Sequence, residues 1–162
     1  MALTEMKTTS AIGKALTFIE LLVVLVIIGV MTGISVPGFR RTFDSLEFDN
    51  FVKDVYYLNH YLKSTAISAR KIYILGIDPA KAVFTASLRE EETGKIEKLS
   101  GKFGKAYAAP KGVTLAVQPA EKTQVYFYPD GSADAVEITL KGKYDKAATL
   151  SIEGALGEIK VK

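Results

Sequence analysis

The sequence predicts an α+β chain, with one long N-terminal helix laid against an antiparallel β-sheet domain. Three observations carry that reading. Residues 21–36 (LLVVLVIIGVMTGISV) hold no charge. Apolar residues then recur at steps of three and four as far as residue 70, and from residue 71 the period drops to two.

The first element is a short polar stretch, MALTEMKTTSAIGKA, which carries Lys7 and Lys14. With residues 16–19 added in front, the uncharged run is interrupted by Glu20 alone and reaches roughly 31 Å of helix, about a bilayer's hydrocarbon thickness. Positive charge ahead of such a run favours a single-pass orientation with the C-terminal part exported. A cleaved secretory signal is the competing reading. The apolar run is long for one, and no small-x-small site follows closely. Glu20 is costly inside a membrane helix, by about 2.5–3.5 kcal/mol, so it needs a partner, a purpose or a place at the headgroup border.

The next element begins at Pro37. Phe39, Phe43, Leu46, Phe51, Val55, Leu58, Leu62, Thr65, Ala66 and Ala69 mark an amphipathic helix whose other faces bear Arg40, Arg41, Asp44, Glu47, Asp54 and Lys63. Pro37 removes one backbone donor and can bend the helix there. After Arg70, residues 71–77 and 82–89 read as strands joined by an Asp78-Pro79 turn. Residues 90–94 form a polar turn into a strand at 95–99, and 100–112 (SGKFGKAYAAPKG) has no period. Further strands are expected at 113–118, 124–128, 133–140, 148–152 and 158–162, in one sheet or two small ones.

The chemistry of enzymes is sparse. No cysteine is present, so disulfides and thiolate metal sites are excluded. His60 is the single histidine, and no zinc motif can be built on it. Glu90, Glu91 and Glu92 read as a solvated turn. Asp130 and Asp134 bracket Gly131 without the later glutamate of a calcium loop. No phosphate loop or nucleophile elbow appears, so no enzyme activity and no cofactor is expected. The net charge is only +3, and Arg89 is the single arginine after residue 70. Arginine dominates bidentate recognition of phosphates and bases, so nucleic acid is not an expected partner.

The string Lys14-Ala15-Leu16-Thr17-Phe18-Ile19-Glu20-Leu21-Leu22-Val23-Val24 resembles the class III signal of type IV prepilins and type II secretion pseudopilins. In that family a basic leader is removed and the fifth mature residue is glutamate. Matching Glu20 to that place implies a cut between Ala15 and Leu16, with N-methylation of Leu16. A cut after Gly13 would make Glu20 seventh. The family usually has glycine before the bond, and alanine stands here. Pro37 falls at the family's helix proline. A second stretch, Tyr126-Phe127-Tyr128-Pro129-Asp130-Gly131 with the alternating residues 136–140, is similar to the minor pseudopilin H and FimT-like group, as is the closing run 150–161.

The resemblance implies a pilin-like fold and four segments: a leader at 1–15, a transmembrane and polymerisation helix at 16–36, an amphipathic half at 37–70, and a β domain at 71–162. It implies a minor pseudopilin of a type II secretion system, or alternatively a FimT-like minor pilin of pilus assembly or DNA uptake. Implied partners are other pseudopilins or pilins through the N-terminal helix, prepilin peptidase, an inner-membrane assembly platform and membrane lipid. The implied location is the bacterial inner membrane, single-pass, with the C-terminal domain periplasmic. Glu20 and Pro37 are the implied assembly residues. A membrane-tethered β domain that never polymerises is the rival from another class.

Overall fold

The computed structural model describes residues 17–90, 93–155 and 157–162, with the side chains of 34–38 and 102 outside that description. The expected leader at 1–15 and the expected cut between Ala15 and Leu16 lie outside the described residues. Helix α1 runs Phe18–Ala69 without interruption, passing through Pro37. It stops where Arg70 takes a left-handed conformation, φ 53°, and the Lys71 N–H donates to the Ala66 carbonyl at 3.3 Å. That 6→1 bond is a Schellman ending, here built on arginine in place of the usual glycine. The chain divides into two compact units, one ending at Arg40 and the other running Arg41–Lys162.

In the second unit, α1 is followed by β1 (Ile72–Asp78), β2 (Val83–Arg89), β3 (Ile96–Lys98), a 3₁₀ turn (Lys102–Gly104), β4 (Tyr107–Ala108), β5 (Thr114–Gln118), β6 (Gln124–Phe127), β7 (Val136–Lys141), β8 (Ala147–Glu153) and β9 (Glu158–Val161). Two antiparallel sheets result. The first has the order β3-β2-β1-β6, with β4 also beside β2, and the second the order β5-β7-β8-β9.

One hydrophobic cluster joins helix and sheets. Phe48, Phe51, Val55, Leu58, Leu62 and Ala66 are buried on α1, at the three-and-four spacing that puts them on one face. Leu75, Phe84, Val125 and Phe127 meet them from the first sheet, and Ile138, Leu140, Leu150 and Ile152 from the second. Alternation along β7 and β8 follows the pleat, with inward residues buried and their neighbours partly or fully exposed. Asn59 is the one polar residue buried in this core among the described residues. Its Nδ2 donates to the Val55 carbonyl at 2.7 Å, while Oδ1 has no partner among the described residues.

Polar contacts fasten the β7–β8 turn to the helix. Lys143 lies 3.1 Å from Asp44, and Lys146 lies 2.8 Å from both oxygens of Asp49. The Arg41 guanidinium sits 5.3 Å from the centre of the Tyr144 ring.

Several expectations need correction. The stretch 100–112 was expected to lack structure, yet it holds a 3₁₀ turn and β4, because Tyr107 pairs with Phe84 and Phe103 stacks on Tyr61 at 3.9 Å. Residues 133–135 precede β7 instead of extending it, held by the Ala133 N–H on the Gly154 carbonyl. The expected inner-membrane, single-pass location with a periplasmic domain is overturned. No helix among the described residues is long and apolar enough to cross a membrane. The uncharged residues whose side chains are described, 21–33, supply about 20 Å of helix against a hydrocarbon core of about 30 Å, with Glu20 just ahead of them.

Candidate assembly surface

The first unit presents an apolar helix surface. Leu21, Leu22, Val23, Val24, Leu25, Val26, Ile27 and Ile28 are consecutive and all exposed, so no face is spared. Exposure is 81% at Phe18 and still 65% at Met31. A solvated helix normally confines such residues to one stripe, and large exposed apolar patches mark sites of association. Thr32 Oγ1 donates to the Ile28 carbonyl at 2.7 Å, which pairs a hydroxyl that an apolar surface would otherwise leave unmatched.

Gly29 and Gly33 stand four apart on one side of this helix, and a Cβ added to either would meet nothing within 4 Å. They leave a strip where another helix backbone can approach closely. The spacing was readable in the sequence, but it carries weight only once the helix is seen to be uncovered.

Glu20 lies in the first turn of α1 and is exposed. Its backbone N–H donates to the Thr17 Oγ1 at 3.3 Å and to the Thr17 carbonyl at 3.1 Å. Thr17-x-x-Glu20 therefore opens the helix as half of a capping box, and the carboxylate stands at the positive end of the helix dipole. Among the described residues no cation pairs with it. The sequence reading found Glu20 and missed the cap that places it. Pro37 lies inside α1 and well away from Glu20 along the helix, so the two expected assembly residues do not form one cluster.

The Pro-Asp-Gly turn is a constructed element of the second unit. Asp130 Oδ1 accepts from the Ser132 N–H at 2.9 Å and from the Ser132 hydroxyl at 2.6 Å, and these bonds hold its carboxyl below the usual range. Gly131 takes φ 87°, which the turn requires. Next to it, the Tyr128 hydroxyl donates to Asp134 at 3.3 Å. Burial first, and then the Asp134 charge, push that phenol up. Lys122 lies 3.6 Å from Asp134 on its other side. These groups satisfy one another in a structural network. No cluster of three metal-ligating side chains occurs among the described residues.

No family model matches the chain. No curated protein matches it in sequence either. Solved structures do match. The minor pseudopilin EpsH of the type II secretion system of Vibrio cholerae superposes with a TM-score of 0.61 at 15% identity, over 72% of this chain and 96% of that one. The type IV minor pilin FimU of Pseudomonas aeruginosa superposes with a TM-score of 0.56 at 16% identity, over 74% and 90%. A long helix against two antiparallel sheets, matched to both proteins over nearly their whole length, gives this chain the pilin-like α+β fold of minor pseudopilins and minor pilins.

Proposed function

We propose that the chain is a structural subunit of a filament, a minor pseudopilin of a type II secretion system. The observation that carries this is the uncovered apolar helix of the first unit, joined to a domain whose fold is pilin-like. A helix apolar on every face needs a partner along its length, and packing beside the same helix of other pseudopilins or pilins supplies one. In this reading residues 1–15 are a leader, 16–36 the polymerisation helix, 37–70 its amphipathic continuation and 71–162 the β domain. Prepilin peptidase cuts between Ala15 and Leu16, the Leu16 amine is methylated, and an assembly platform receives the product.

Glu20 then acts as an assembly gauge. Packed among apolar helices, an unpaired carboxylate is strongly unfavourable. The amine created at Leu16 is the nearest cation, four residues away on its own helix or supplied by a neighbouring subunit. Pairing across subunits rewards the correct axial register.

Intact mass of the cell-derived protein tests the processing step. The expected mass is that of a methylated chain beginning at Leu16. A mature chain beginning at Lys14 or Phe18 would overturn the register on which Glu20's role depends. The likeness to FimU supports a second reading, a FimT-like minor pilin of type IV pili. Co-purification decides between them: a secretion ATPase and secretin accompany the first, a retraction ATPase the second.

A further inference from the structure

A groove of about 410 Å³ runs between α1 and β9 in the second unit, lined by Val52, Lys53, Tyr56, Tyr57, Ile159 and Val161. Its walls are largely apolar and aromatic. Val52 forms its floor as part of the core, and Tyr56 and Ile159 pack against that core, but Tyr57 is 61% exposed and Val161 45%, so the groove is open at its rim.

The backbone beside the groove has no ladder partner among the described residues. β9 is the last strand of the order β5-β7-β8-β9 and, among the described residues, pairs with β8 alone. Thr149 and Lys162 exchange both of their backbone hydrogen bonds, at 2.9 Å each. In an antiparallel ladder the bonded residues alternate, so Lys160 and Glu158 also turn their amides toward β8. Ile159 and Val161 therefore point their N–H and C=O groups outward. These are the same two residues whose side chains line the groove. A small apolar molecule could fill the groove but would leave that edge unanswered. An extended polypeptide answers both together.

Edge strands are usually blunted by proline, a bulge or a lysine. β9 contains neither proline nor bulge. Its lysine, Lys160, stands on the opposite face, 2.7 Å from Glu153 and 3.3 Å from Glu158, where its charge is neutralised. At the other edge of the same sheet, β5 runs directly into Pro119. Lys53 is the charged residue of the groove lining, and it is exposed. It selects for an acidic group on whatever enters.

We propose that the α1–β9 groove is a strand-docking site, in which an extended segment of a partner polypeptide adds to the outer edge of β9. Residues of that segment opposite Ile159 and Val161 share their face of the sheet, so apolar side chains at alternate positions pack on Val52, Tyr56 and Tyr57. An acidic side chain two residues further along lies beside Lys53. Backbone pairing supplies the alignment, and the pockets between alternate side chains supply selectivity, as in other edge-strand complexes. The inference uses only residues of the second unit and does not rest on the filament reading.

The test uses the full-length protein and a fluorescent peptide, Thr-Val-Thr-Val-Thr-Glu-Thr, followed by anisotropy. Saturable binding is expected. N-methylation of the two valine amides removes backbone bonds and should weaken binding about tenfold or more. Tyr57→Ser should weaken it with an unchanged thermal midpoint, because the ring is exposed. Lys53→Glu should reverse the preference between this peptide and one with lysine in place of glutamate. The proposal is overturned by absence of saturation, by equal binding of the N-methylated peptide, or by a charge preference that Lys53→Glu leaves unchanged.

Discussion

Gly157, in the last hairpin, sits against the carbonyl oxygen of Gly131, the glycine of the Pro-Asp-Gly turn, so closely that a Cβ on Gly157 has no room. The two elements that carry the resemblance to minor pseudopilins thus meet in space. A backbone hydrogen bond, from the Ala133 N–H to the Gly154 carbonyl at 2.9 Å, ties the same hairpin down. Gly157 also takes φ 54°, which an L side chain rarely adopts. Gly157→Ala is expected to destabilise the domain by about 1–3 kcal/mol, since backbone yields less easily than a side chain. Urea unfolding at constant m-value would check this, and an unchanged midpoint would show that the hairpin tip is free to move.

Asp130 makes the same turn sensitive to acid. Its folded pKa lies below the ordinary value of 3.8 because Ser132 donates to it twice. A lowered carboxyl contributes stability that is present above the unfolded value and is lost as pH falls through the folded one. Asp130→Asn should therefore flatten the stability profile below about pH 4 and leave its shape near neutrality unchanged. Thermal midpoints of both proteins between pH 2 and pH 7 would show whether the profiles converge at low pH.

Asn59 and Leu58 should respond very differently to substitution. Both are fully buried on α1, but Asn59 keeps an oxygen without a partner among the described residues. Leu58→Ala opens a cavity and should cost about 2–5 kcal/mol. Asn59→Leu removes the unmatched group with the same branching but larger methyl ends, so relief of the polar penalty offsets the added bulk and the change should be far milder, within about 1 kcal/mol of neutral. A large loss in Asn59→Leu, measured by denaturant titration, would mean that the amide is fully satisfied in solution.

Lys146 and Asp49 form the closest ion pair between helix and hairpin, but both side chains are over a third exposed. Solvent screening limits such a pair, so a double-mutant cycle should give a coupling of no more than about 0.5 kcal/mol, falling with added salt. Coupling well above 1 kcal/mol that survives high salt would show that the turn excludes water from the pair.

Glu20→Leu should leave processing and the β domain intact and lower incorporation into filaments, with Glu20→Asp between it and wild type. Subunit crosslinking at equal abundance is the measurement. Equal crosslinking in all three would reduce Glu20 to the helix cap it forms with Thr17.

Much of this fold was legible because two periods are written plainly in the chain. The 3.6 period over Phe51, Val55, Leu58 and Leu62 and the period of two over Ile138, Leu140, Leu150 and Ile152 each report a buried face. What was hidden depends on partners remote in sequence. β4 is two residues long and exists because Phe84 offers Tyr107 an edge, so no period could announce it. The left-handed Arg70 that ends α1 reads as an ordinary arginine. Glu20 was visible as a charge in an apolar string, whereas the α1–β9 groove was not, because Tyr57 and Val161 are about a hundred residues apart.

The insertion of β6 beside β1 has a consequence for biosynthesis. β1 and β2 can pair as soon as they emerge, but the other side of β1 waits for residues 124–127, and Leu150 and Ile152 come later still. Until then the face of α1 bearing Val55, Leu58 and Leu62 has no complete cover. Non-local closure of this kind is slow, and a chain made from its N-terminus exposes sticky surface meanwhile. A ribosome stalled before Gln124 would therefore hold a protease-sensitive chain, and release of the final strands would convert it to a resistant one.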